Sequence, residues 1–242
     1  MKFTAIATIA TAAALSLGMA ASASASPLSP SSSAAPQVTG TRLQSALLPA
    51  SAFGSGFTAA DRLNTGKKLW STRTRLKPSN LRCKNFEMYI YVGGFGDTAG
   101  AMDNINNPDP AFADYPSLVL GADQAVIQFK TAKAATSFYN EAYARYKQCS
   151  DFTETYPGDS TTLELTTQTL AKTTIKKDKA FQLVQDVTIP SVSALSFYES
   201  TAVVLAGTNV YTVGDLDGTN DPISASLLGN FINRVQALYK HH

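Results

Sequence analysis

An α+β domain, a mainly antiparallel sheet with helices packed on it and one disulfide, is the fold class the sequence predicts, and three observations predict it. Segments 161–175, 181–189, 195–205 and 209–213 are rich in Thr, Val, Ile and aromatic residues, which suit a pleated surface. They succeed one another without the regular strand-helix alternation of a parallel sheet, so antiparallel neighbours are expected. Segment 131–149 repeats apolar residues at three- and four-residue steps, Ala135, Phe138, Tyr139, Ala142, Tyr143, Tyr146 and Cys149, the stripe of a helix lying on a sheet. Cys83 and Cys149 are the only cysteines, and an even count in an exported chain implies a bridge.

Export follows from the start of the chain. Lys2 precedes an uncharged, apolar or small run over 3–17, and Ala21-Ser22-Ala23 and Ala23-Ser24-Ala25 offer A-x-A cleavage sites. Residues 1–25 therefore read as a secretory signal peptide cleaved near Ala25, giving a secreted, extracellular product. No later apolar stretch could span a bilayer, so no transmembrane segment is expected in the mature chain. Residues 26–40, SPLSPSSSAAPQVTG, read as a disordered Ser/Pro-rich spacer. The remainder, 41–240, is long enough for one domain and hardly enough for two.

Within that domain, Thr41-Arg42-Leu43-Gln44 fits a capping box, with Leu43, Ala46 and Leu47 on one face and Pro49 ending the helix. Alternation over 70–77 predicts a strand, Lys77-Pro78-Ser79-Asn80 a turn, and 87–92 a second strand with Met88, Ile90 and Val92 opposite Tyr89 and Tyr91. Segment 93–121, with Asn107-Pro108-Asp109-Pro110, reads as a long irregular loop. A buried strand follows at 125–130. Gly207 marks a tight turn between the last two strands. A final helix over 222–239 has Asp221 as N-cap, Pro222 at its first position, and Ile223, Leu227, Phe231, Val235 and Leu238 on its buried face.

Chemistry is sparse. The only histidines are His241 and His242, beyond the last helix, so a Ser-His-Asp or Cys-His site has no internal base; the pair reads as a frayed tail or a tag remnant. Asp215-Leu216-Asp217-Gly218-Thr219-Asn220-Asp221 lacks the Gly and Glu an EF-hand needs at its sixth and twelfth places, and reads as a polar turn. Gly93-Gly94-Phe95-Gly96 has no following Lys-Ser/Thr and reads as a flexible strand exit. No cofactor or metal is expected. Glu87, Glu141, Glu154, Glu164 and Glu199 leave open a carboxylate-based hydrolase.

The most informative charge feature is 67–84, where Lys67, Lys68, Arg73, Arg75, Lys77, Arg82 and Lys84 occur without an acid. On a strand, Arg73, Arg75 and Lys77 share one face. With Trp70 they form the candidate ligand-binding set, suited to an anionic envelope molecule, against the alternative of a solvated strand face. A formal net charge of +2 gives no support to nucleic-acid binding.

Ala46-Leu47-Leu48-Pro49, Gly56-Phe57, the Cys83 segment, and above all Ala125-Val126-Ile127-Gln128-Phe129 running into Phe138-Tyr139 and Tyr146-Lys147-Gln148-Cys149 resemble the extracellular sensor domain of mycobacterial-type membrane serine/threonine kinases, the PknH-like extracellular domain, which also occurs in stand-alone secreted proteins. The hairpin over 200–213 and the last helix fit that family's ending. Family members often carry Trp where this chain has Tyr146, and the kinase versions carry two bridges where this chain can form one. The resemblance implies an antiparallel sheet with helices around a ligand cleft, and hence a secreted, non-catalytic binding or sensor domain. A secreted hydrolase and a structural or partner-docking envelope protein are the alternatives.

Overall fold

Apolar residues on both faces of the central strands are explained by a sheet covered on both sides. The computed structural model describes residues 36–64, 77–78, 97–107, 121–155, 162–191, 196–217 and 220–240. Its strands are β1 Thr58–Asn64, β2 Lys77–Pro78, β3 Asp97–Asn106, β4 Gly121–Phe129, β5 Asp151–Thr155, β6 Thr162–Ile175, β7 Asp178–Thr188, β8 Ser196–Ala206 and β9 Asn209–Asp217. They form one sheet in the order β1-β3-β4-β9-β8-β7-β6-β5-β2, and every neighbouring pair is antiparallel. Helices α1 Gly40–Ser45, α2 Ala132–Gln148 and α3 Ala225–Ala237 cover it. This is the expected α+β, antiparallel architecture.

The period of two along each strand divides the core. On one face, Ile127, Phe129, Phe181, Leu183, Val203, Leu205 and Val210 pack with Phe138, Tyr139, Ala142 and Tyr146 of α2. On the other, Val126, Ala202, Val204, Tyr211 and Val213 pack with Leu43 of α1 and with Leu228, Phe231, Ile232 and Val235 of α3. Helix α2 follows its predicted stripe, from the Thr131 cap, whose side chain accepts from Ala134 N, to Cys149 at the C-cap. Its three stripe tyrosines meet one ring, with Tyr139, Tyr143 and Tyr146 at 5.3, 5.5 and 5.5 Å from Phe181. The stripe is core packing, as expected.

Several boundaries differ from the sequence expectation. Helix α1 is capped by Thr39, which accepts from Arg42 N at 3.3 Å, and not by Thr41. Pro36 to Gly40, assigned to the spacer, belong to the folded body: Val38 is buried and its N–H donates to Gln128 Oε1 at 2.9 Å. Segment 93–121 is not wholly irregular, because β3 occupies Asp97–Asn106. Its small Ala99 and Ala101, which carry weak strand propensity, are buried in the α1 and α3 face. Lys77 and Pro78 pair with Thr155 and Glu154 of β5 instead of turning; an edge position tolerates the proline, which has no N–H to give. Helix α3 starts at Ala225 with Ser224 as N-cap, not at Pro222 with Asp221. Its buried stripe runs through Leu228 and Ile232, leaving Leu227 and Leu238 partly covered.

Two hairpin turns contrast. In β8–β9, Gly207 takes φ 62, a conformation glycine adopts without cost, as predicted. In β6–β7, Lys176 and Lys177 fill the two turn positions with φ 49 and 77, the sign pattern of a type I′ turn. Asn or Gly ordinarily sits there, because a residue with a Cβ loses roughly 1–2 kcal/mol in the left-handed region.

Burial also sets an alkaline limit. Desolvation first, and neighbouring Tyr143 second, push the Tyr139 hydroxyl up to about 12, and burial raises Tyr211 and Tyr239 as well. The fold thus favours the protonated phenols, so their contribution is complete below pH of about 10, the unfolded value, and is lost as pH climbs toward 12. We expect loss of near-UV circular dichroism in that window together with a step in phenolate absorbance. Smooth titration near 10 with unchanged dichroism would contradict it.

Candidate functional site

A cleft opens where the Asp217 end of β9 meets the start of α3. Its volume is about 420 Å³, and it is lined by Ala52, Phe53, Ser200, Asp215, Asp221, Pro222, Ile223, Ser224, Ser226, Leu227 and Asn230. That lies within the range of small-molecule sites. Each wall has a local cause. Ser200 and Asp215 are directly opposite in the β8–β9 register and point to the α3 face. The segment from Asp221 to Ser224 is tied down where Ser200 Oγ donates to the Asp221 carbonyl at 2.7 Å and Gln182 Nε2 donates to the Ile223 carbonyl at 2.9 Å. Ser224 Oγ accepts from Ser226 N at 3.2 Å and lies 2.7 Å from Ser226 Oγ, which places both hydroxyls at the first turn of α3. Ala52 and Phe53 come from the 3₁₀ turn Ala50–Ala52 and its cap.

The lining pairs polar groups, two carboxylates, three serines and an amide, with an apolar wall of Phe53, Ile223 and Leu227. No lysine or arginine is among these described lining residues, which bring two carboxylates to the first turn of α3. Among the described residues no group of three His, Cys, Asp or Glu is placed to hold a metal ion.

The candidates from sequence fall elsewhere. Trp70, Arg73 and Arg75 lie outside the described residues, and of Lys77 only the backbone is described, in β2. Cys149 is buried beneath α2, whereas Cys83, His241, His242, Glu87 and Gly93 to Gly96 lie outside. Glu164 is exposed and Glu199 half-buried; the strand registers put them on opposite faces of the sheet, so these two do not form a pair. Sequence reasoning found Asp215 only in a polar turn and Asp221 only as that turn's end and a helix cap, and missed Phe53, Ser200, Ser224, Ser226 and Asn230. The one local signal was Ser224-x-Ser226 ahead of an apolar run, a helix start as good as that at Asp221.

The arrangement defines a class: an antiparallel sheet between helices, with a mixed polar and apolar cleft at one end. No protein-family model matches the sequence, and no curated protein matches it. Among solved structures, the extracellular domain of PknH from Mycobacterium tuberculosis superposes with a TM-score of 0.63 at 16% identity, over 84% of this chain and 98% of that one. An Rv0999 ortholog from Mycobacterium smegmatis gives 0.39 at 10% identity, over 83% and 98% of the two chains; at that score the likeness carries no weight. The chain has the fold of the PknH extracellular domain. Among the described residues no helix is long and apolar enough to cross a membrane.

Proposed function

We propose that this chain is a secreted, non-catalytic ligand-binding or sensor domain, and that its ligand occupies the cleft at the start of α3. The cleft's composition carries the reading: carboxylates, hydroxyls and an amide facing an apolar wall, in a chain without an internal histidine. Likeness in fold to a kinase extracellular domain supports it. Such a lining favours a small polyol or amine, whose hydroxyls bond to Ser200, Ser224 and Asn230 and whose cation, if present, meets Asp215 and Asp221. Export also implies that Cys83 pairs with Cys149, which thiol labelling of unfolded, unreduced protein reads directly.

Glucosamine, with hydroxyls and an ammonium, is a direct probe. At a hundredfold excess over its dissociation constant a ligand stabilises by about 2.7 kcal/mol, which for a chain of this size raises the melting temperature by about 5–10 °C. Asp215→Asn should lower the affinity about tenfold through loss of a charge-assisted hydrogen bond. No saturable shift with amino sugars, polyols or amines would end this reading. The hydrolase alternative would use the same two acids, and turnover of a chromogenic glycoside, abolished in Asp215→Asn, would replace binding with catalysis.

A further inference from the structure

We propose a second site, at the tip of the β6–β7 hairpin, that binds multivalent phosphate through Lys177 and Lys179, with Lys172 beside them. It is separate from the cleft, and the two fail or succeed independently. Four of the eight residues from Lys172 to Lys179 are lysines, and the single acid among them, Asp178, is half-buried, with its carboxyl raised by desolvation. The cations therefore dominate the outer surface of the tip.

The turn is where the case becomes specific. Lys176 and Lys177 both hold positive φ, where glycine or asparagine would be at ease. For Lys176 the fold supplies a reason: its Nζ donates to Asn233 Oδ1 of α3 at 2.7 Å. Its stem also lies over Gly229, where an added Cβ would come within 2.8 Å of Lys176 Cε. This lysine fastens the hairpin to the helix. Lys177 has no such return: it is exposed at φ 77 and makes no hydrogen bond or ion pair among the described residues. The turn requires a positive φ there but does not require lysine, and a side chain kept at such a position without an intramolecular contact is the ground for inferring a role in binding. Lys179 is likewise exposed, paired with Thr174 across the ladder. Lys172 lies on the same face, opposite Phe181, with its Nζ 4.2 Å above the Tyr143 ring. A rigid two-stranded tip thus presents separated ammonium groups, each a point charge suited to phosphate. The anionic partner expected of residues 70–77 has here a set of cations whose positions are described.

The test uses the full mature protein with phosphatidylglycerol vesicles, phosphatidylcholine vesicles and inorganic polyphosphate. Wild type should bind phosphatidylglycerol or polyphosphate and not phosphatidylcholine. Binding to the vesicles alone assigns a lipid headgroup array, and binding to polyphosphate as well assigns a phosphate polymer. Each lysine removed should cost about fivefold, so K177G/K179Q should bind about 25-fold more weakly, while Lys177→Arg stays near wild type. Because glycine relieves the turn, Lys177→Gly alone should raise the melting temperature by about 3 °C while weakening binding. A more stable variant that binds less separates a binding role from a structural one. Undiminished binding by K177G/K179Q, or a wild type that binds neither anionic probe, overturns the proposal.

Discussion

Gly121→Ala is expected to destabilise the fold by about 4 kcal/mol or more, the largest effect of a methyl added at a glycine among the described residues. Gly121 opens β4 and is paired on both sides, with Asn106 of β3 and Leu216 of β9. A Cβ there would lie 1.9 Å from the Ile105 carbonyl oxygen, 3.0 Å from its carbon and 3.1 Å from Asn106 Cα. These are backbone atoms held in a ladder, so no flexible side chain can swing away. Relief requires β3 to separate from β4, and with it the surface on which α1 rests. Overpacking ordinarily costs about 1–3 kcal/mol; an overlap this deep against backbone belongs in the rare tail above 4. Against a total stability of about 5–15 kcal/mol, soluble yield should fall and the denaturant midpoint should drop sharply. Gly207→Ala is the control: nothing lies within 4 Å of its Cβ position, and only the φ of 62 opposes it, so about 1 kcal/mol is expected. Equal midpoints for the two variants would refute the steric account.

The contrast between those glycines shows what could be read from the chain and what could not. Gly207 announced itself because strand-forming runs flank it, so its role is local. Gly121 looked like the end of a loop, since the oxygen that excludes a side chain belongs to a strand hidden in Asp-Thr-Ala-Gly-Ala-Met-Asp-Asn-Ile-Asn, a run poor in strand formers. The α2 stripe and β6 to β9 were legible because burial on one face imposes a period, and a period survives without knowledge of the partner. β1, β3 and β5 were not, because an edge position or a close-packed helix selects small or polar residues that mimic loops. The cleft was the least legible part. Ala52, Ser200, Asp215 and Asn230 are far apart in the chain and have no common spacing, so only the register of β8 with β9 and the entry angle of α3 bring them together. The α3 cap itself turned on competition between two oxygen-bearing residues three positions apart, Asp221 and Ser224, which local rules cannot rank.

Gln128→Leu is the second change expected to be severe, at about 3–5 kcal/mol, although leucine nearly matches glutamine in volume. Within the apolar face of β4, Gln128 behaves as a piece of backbone. Its Oε1 accepts from Val38 N at 2.9 Å and from the Tyr239 hydroxyl at 2.6 Å, and its Nε2 donates to the Val38 carbonyl at 3.1 Å and to Gln37 Oε1 at 2.8 Å. Gln124, two side-chain repeats back on the same face, grips Leu48 in the same manner, N to Oε1 and Nε2 to O, both at 2.8 Å. Two amides thus do what a neighbouring strand would do for an N-terminal segment that has none. Leucine at 128 strands the buried Val38 N–H and carbonyl, each orphan costing about 1–3 kcal/mol, while the Tyr239 hydroxyl keeps Asn209 Oδ1 at 3.1 Å. The melting temperature should fall by about 10 °C, with the Val38 amide among the first to exchange with solvent. Gln124→Leu should act at Leu48 and reach further, because Ala52 and Phe53, which wall the cleft, follow directly on the segment that Gln124 holds. It is therefore expected to weaken a cleft ligand without touching it, whereas Gln128→Leu should leave affinity nearly intact at temperatures where the protein stays folded. If the Val38 amide stays as protected in Gln128→Leu as in wild type, the clamp is not what orders this segment, and packing of Val38 and Leu43 alone would have to account for it.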